Sequence, residues 1–307
     1  MPTVSINHLT RYRYRRDVAF GDHRIMVRPR ESYDQRVLEA ALEIDPEPVS
    51  LRWIQDVFGN AVAIARFDHR SDQLEVRGSA EVEHLPTGRD DIAVEPYARR
   101  YPFTYAANDM PDLLRSIERS YPDRDRELDE WARGFLPDGG HRDTMDMLED
   151  ITTSIRERFQ YRRREEKGIQ SPLETLARGN GTCRDFAVLM MEGVRALGLA
   201  ARFVSGYIYN PDESRHRVGG HSTHAWVRVF LPGSGWVEFD PTNGIVGNDS
   251  LIRVAVARDP AQVVPLSGTW TGAKGSQIDM SVEVRIKHVA LETSHPPELS
   301  ARETQPC

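Results

Sequence analysis

Three residues between Gly181 and Asp240 have the types and spacing to do chemistry together: Cys183, His224 and Asp240. A carboxylate that holds an imidazole in one tautomer, an imidazole that takes a thiol proton, and a thiolate that then attacks an acyl carbon form a nucleophilic set. Its product is a thioester, which water or an amine resolves to give hydrolysis or acyl transfer. The backbone N–H of Cys183 is the natural donor to the developing oxyanion, and Tyr161 is the candidate for a second. Trp226 and Asn243 are candidates for the substrate cleft. Each has a plainer reading beside it: a lone cysteine as a small buried hydrophobe, a hairpin tryptophan as packing, a turn asparagine as a turn.

The elements around these residues decide whether they can meet. Thr182 followed by Asp185 ahead of an apolar run is a capping-box pattern, so the sequence predicts a helix over 182–197 with Cys183 in its first turn. The helix dipole favours an anion there, which eases ionisation of the thiol. Phe186 to Met191 and Val194 make that helix apolar on nearly all sides, hence buried, and Gly198 is placed to end it. A strand over 201–209 and a polar loop over 210–222 follow. Period-2 alternation in 223–231 puts Ala225, Val227, Val229 and Leu231 on one face and His224, Trp226 and Arg228 on the other. After the Pro232-Gly233-Ser234-Gly235 turn, 236–240 returns as the second strand of an antiparallel hairpin that Pro241 stops. Asp240 reaches the imidazole only if it pairs opposite His224 or Trp226, which we predict; pairing with Val227 puts it on the wrong face.

The chain has 307 residues, is 39% hydrophobic and 28% charged, and carries a net charge of −7, a balance that argues against nonspecific nucleic-acid binding. Its first residues lack a signal-peptide pattern and no apolar run approaches a membrane span, so no membrane association is expected. Two cysteines, Cys183 and Cys307, make no disulfide framework, and a cytoplasmic setting follows as the default. Residues 1–85 read as short strands, an all-β N-terminal domain. The proline-interrupted stretch 86–110 reads as a connection. Helical patterns over 111–119, 123–135 and 144–161, the cysteine helix and the hairpin make 111–292 an α+β catalytic domain, completed by late strands over 251–257 and 278–290. The tail 293–307 lacks core residues.

The runs Gly181-Thr182-Cys183-Arg184-Asp185-Phe186-Ala187, Ala200 to Tyr207, His224-Ala225-Trp226 and Asp240-Pro241-Thr242-Asn243 resemble the bacterial transglutaminase-like superfamily. The segments Tyr12-Arg13-Tyr14, Met26 to Arg30 and Asp56 to Asn60 resemble the β-rich region that precedes its core in many bacterial members. The resemblance implies a papain-like core whose triad is Cys183, His224 and Asp240. It implies amide chemistry on a peptide, a protein or a glutamine side chain, and it does not imply cross-linking. No cofactor and no metal is expected, and Asp249 and Asp259 are too scattered to bind calcium. Two rival readings stand beside this one. His221 and His224 with Cys183 and Asp240 contain zinc-ligand types, which would make a zinc-dependent amidase, although that separation is odd for one strand face. The other is a non-catalytic binding protein on the same fold.

Overall fold

The computed structural model describes residues 2–162, 168–210, 217–219 and 222–289. Its architecture is α+β, a mostly β region followed by a helix-and-sheet core. The first sheet is built on β1 (Thr3–Ile25), one long strand where the sequence reads as short ones. With β2 (Gln35–Asp45), β3 (Ser50–Gln55), β4 (Ala61–Arg66) and β5 (Arg70–His84) it gives the order β2-β5-β1-β4-β3. A register shift between Arg13 and Val18 lets one strand serve several neighbours in turn. Alternate residues such as Val4 and Ile6 point inward, as a half-buried sheet requires.

The stretch expected as a loose connection, 86–110, is strapped onto the core. Val94, Ala98 and Tyr105 are buried in the main apolar cluster, and the Tyr105 hydroxyl donates to the Phe230 carbonyl and accepts from the Ala200 amide. Its prolines break regular structure without freeing the segment from packing. Its short β6 (Arg100–Tyr101) pairs with β7 (Arg142–Asp143). Helices α1 (Met110–Ile117), α2 (Glu127–Arg133), α3 (Thr144–Arg158) and α4 (Pro172–Arg178) surround α5 (Cys183–Ala196), whose residues from Asp185 to Arg195 are all buried. Between α3 and α5, β8 (Gln160–Tyr161) runs parallel to β9 (Asn180–Gly181).

The core sheet is antiparallel, ordered β13-β12-β11-β10-β14, from β10 (Ala201–Ile208), β11 (His224–Leu231), β12 (Gly235–Asp240), β13 (Ile245–Val246) and β14 (Leu251–Ala257). Ala225, Val227, Val229 and Leu231 share the main apolar cluster with α5, whereas Trp226, Val204, Ile208, Leu251 and Val256 form a second cluster that Phe58 of the N-terminal region packs against. The late strands correct the expected domain division. Only β14 joins the core sheet; β15 (Leu266–Thr271) and β16 (Gln277–Val289) pair with β1, so the chain closes on the sheet where it began. Alternation alone shows that a segment is a strand and leaves its partner open, because partner choice depends on which edge tertiary packing leaves free.

The two sheets meet at β14, an edge whose backbone groups need partners. Side-chain amides of the N-terminal region supply them. Asn60 donates to the Val256 carbonyl at 2.8 Å and accepts from the Val256 amide at 2.9 Å, and Gln35 does the same for Arg253 at 2.9 and 2.9 Å. The buried Arg253 guanidinium ties Asp34 of the first region to Glu238 of β12. Among the described residues no helix is long and apolar enough to cross a membrane.

Candidate active site

Cys183 opens α5 and is 7% exposed. The cap ahead of it differs in one detail from the predicted box. The Asp185 carboxylate accepts from both the backbone amide (2.8 Å) and the hydroxyl (2.9 Å) of Thr182, so the threonine side chain donates to it. The other carboxylate oxygen accepts from the Gln170 amide at 2.7 Å, which fastens the preceding segment to the helix start.

His224 begins β11 and Asp240 ends β12. The observed register pairs Val227 with Phe239 and Arg228 with Glu238, which continues to Trp226 opposite Asp240 and places the carboxylate diagonally from the imidazole on one face. This is one of the two pairings that the sequence predicts. His224 Nε2 lies 2.8 Å from Asp240 Oδ2, and both side chains are fully buried. Asp240 also accepts from Asn243 Nδ2 at 2.8 Å and from the Thr242 amide at 2.9 Å. With Nε2 committed to Asp240, Nδ1 is the ring nitrogen left over; it is buried and has no hydrogen-bond partner among the described residues, and the Cys183 thiol is within its electrostatic reach.

Ionisation follows from this arrangement. Burial opposes charge on the imidazole, but Asp240 and then Cys183 outweigh it and push His224 up to about 10. Burial likewise works to raise the Cys183 thiol, yet the closeness and charge of His224, with help from Arg184, bring it below its ordinary value. Asp240 is held low against its own burial by His224, Asn243 and the Thr242 amide. All three shifts favour the charged forms, so the arrangement can hold a thiolate–imidazolium pair with an ionised aspartate behind it, titrating as a coupled unit.

The residues expected to line the cleft do other things. Trp226 is fully buried and stacks against His224 with ring centres 5.9 Å apart at 27°, so it supports the imidazole from below. It faces the second apolar cluster because the N-terminal region covers that side of the sheet. Asn243, 6% exposed, is also turned inward: besides Asp240 it binds the Val218 amide at 2.8 Å and the Val218 carbonyl at 3.2 Å. Tyr161 is 38% exposed, pairs with Gly181 two residues before Cys183, and sets its ring against Phe186. Trp236 is remote from this set and carries Arg202 over its ring at 4.0 Å.

Two contributors had only a faint signal in the sequence. Gly219 has φ +101° and lies so close to the imidazole that a Cβ there would sit 2.8 Å from His224 Nδ1. A glycine in a polar loop is too common a pattern to mark such an approach. Gly206 pairs with His224 in register and makes room for Trp226, since a Cβ there would lie 2.6 Å from that ring. His216, His221 and Cys307 lie outside the described residues, as does most of the 210–222 loop, so the zinc set built on His221 does too. Among the described residues no three His, Cys, Asp or Glu side chains converge as metal ligands.

The model of the bacterial transglutaminase-like N-terminal region matches residues 4–83, and that of the transglutaminase-like superfamily matches residues 131–241. An uncharacterized protein of Mycobacterium bovis is 31% identical over 291 residues, covering 91% of each chain. A protein-glutamine gamma-glutamyltransferase of Pseudomonas aeruginosa is 38% identical over 66 residues, 20% of this chain and 10% of that one. The crystal structure of a candidate cysteine protease from Cytophaga hutchinsonii shares the fold, with a TM-score of 0.66 and 20% identity, covering 96% of this chain and 93% of that one.

Proposed function

Because the chain belongs to the transglutaminase-like superfamily, we propose that it is a cysteine-dependent enzyme that cleaves amide bonds of peptides, proteins or glutamine side chains through a thioester, with hydrolysis favoured. The observation that carries this reading is the His224–Asp240 bond at 2.8 Å, with the other ring nitrogen left for a cysteine at a helix start. The Cys183 thiolate attacks the carbonyl carbon, and the backbone N–H of Cys183, unused within the helix at its first position, donates to the oxyanion. Tyr161 is our candidate for the second donor. As the C–N bond breaks, His224 gives its Nδ1 proton to the leaving amine, and the acyl group stays on sulfur. A water then loses a proton to His224 and attacks the thioester; the acid leaves and the thiolate is restored.

Hydrolysis is the simpler outcome because water reaches any open thioester, whereas transfer needs a bound amine. We place the protein in the cytoplasm on its sparse cysteines, of which Cys183 is unpaired. The test is a panel of peptide and glutamine amides, with and without added amine, on the native chain and on Cys183→Ala and His224→Ala. Both variants are expected to lose turnover while keeping melting temperatures close to the native one. Full activity in either would overturn the assignment, and an amine-dependent product in place of the acid would move the reading to transfer.

A further inference from the structure

Among the described residues, the two buried carboxylates of the site are occupied. Asp240 is fully buried and bound by His224, Asn243 and Thr242; Asp185 is fully buried and bound by Thr182 and Gln170. The arginine that follows Cys183 is differently placed. Arg184, the next residue in α5, is half-buried, and among the described residues no hydrogen bond or ion pair holds its side chain. Other half-buried arginines here are committed: Arg30 to Phe58 and Asn60, Arg119 to Asp123 and Asp129, and Arg217 to Asp249. Two further cations border the site without a carboxylate partner among the described residues. Arg162 donates its backbone amide to the Gly181 carbonyl at 2.9 Å and bonds only Gln160 through its side chain. Arg156 lays its side chain along Gly244, next to Asn243. On a chain of net charge −7, these unpaired side chains bordering the site are, among the described residues, cationic.

We propose that Arg184 makes this site selective for acyl donors that carry a carboxylate close to the reacting carbonyl, with acidic peptides as the substrate class. The proposal rests on Cys183 being the nucleophile. With thiolate, imidazolium and aspartate in place, the triad bears one net negative charge and would repel an anionic substrate. A guanidinium on the neighbouring residue offsets that charge, and its donors, uncommitted among the described residues, match a carboxylate in a planar, two-point geometry. Its influence on the thiol, which it helps to lower, agrees with its standing within electrostatic reach of the sulfur.

The test needs no known substrate. Iodoacetate and iodoacetamide alkylate the same thiolate and differ in one carboxylate, so the ratio of their rate constants at Cys183 cancels thiolate population and reports local charge alone. In the full native chain the ratio is expected to exceed that of a free thiol at low ionic strength and to shrink with added salt. Arg184→Gln is expected to lower it by about fivefold, the range of a single partly exposed charge interaction, and Arg184→Lys to restore most of it. The rim is to be checked on substrate as well: glutamate-containing peptides are expected to lose KM advantage over their glutamine counterparts in Arg184→Gln. A ratio unchanged by Arg184→Gln, in a variant that still alkylates at Cys183, overturns the proposal and leaves the enzyme reading intact. Cys183 inert to both reagents in the native chain would overturn both.

Discussion

At Cys183 and His224 the directions of the two shifts, thiol down and imidazole up, set what pH is expected to do to the site. The thiol lies below its ordinary value and His224 near 10, so between those limits the nucleophile and its acid are both in their working forms. Alkylation of Cys183 is therefore expected to reach its plateau below the ordinary thiol value of about 8.5, and turnover to fall on an alkaline limb as His224 loses its proton. Asp240 is the chief support of the charged imidazole. In Asp240→Asn that limb should move to lower pH and turnover should drop by about three to four orders of magnitude, as the ring loses both its tautomer and its partner. A pH–rate profile of the two proteins checks this, and an unmoved alkaline limb would mean that the limb belongs to another group.

Among the elements, the hairpin and α5 bring the chemistry together, and β10 beneath them sets its height. Gly206 lies opposite His224, and any side chain there meets the Ile252 carbonyl of β14 and the Trp226 ring. Both neighbours are locked in a close-packed layer, so Gly206→Ala is expected to destabilise the fold by about 1–3 kcal/mol. It should also lower kcat, because Trp226 carries the imidazole. Urea unfolding with parallel turnover assays measures both. Loss of stability with kcat unchanged would show that the stacking does not position His224.

On the scale of the whole molecule, the N-terminal region covers the back of the catalytic sheet. Two buried histidines sit in that junction. His8 bonds the Tyr207 hydroxyl at 2.8 Å and Thr10 at 2.8 Å, and His84 bonds the Tyr209 hydroxyl at 2.9 Å. Since Tyr207 donates to the Val27 carbonyl, His8 must donate from Nδ1 and accept at Nε2, which fixes its neutral tautomer. Burial lowers both residues to about 4, with the Arg253 charge adding to the effect on His84. Below about pH 6.5 the unfolded chain binds protons that the folded one refuses, so stability is intact above that pH and falls as pH drops toward 4. The full effect is on the order of 3 kcal/mol for each histidine. Denaturant midpoints taken across this window should decline, with a shallower slope in His84→Asn; a slope unaffected by that change would assign the acid sensitivity elsewhere.

How much of this was legible beforehand depends on the range of the forces involved. Thr182 and Asp185 announced the helix that presents Cys183, and the alternation of 223–231 announced which face His224 shares, because capping and pleating act over a few residues. The order of Cys183, His224 and Asp240 carried the chemistry, and the hairpin restricted Asp240 to few registers. The destination of 266–289 was not written locally, since a strand's alternation is the same whichever sheet receives it. Nor was the inward turn of Trp226 and Asn243, which follows from what covers the sheet. The amides of Gln35 and Asn60 on β14, and the half-buried Arg184 after Cys183, unpaired among the described residues, likewise exist only after distant segments have packed. Short-range patterning determined the candidate reacting groups and the elements that carry them; long-range pairing, whose cost in chain entropy only a complete core repays, decided what surrounds them.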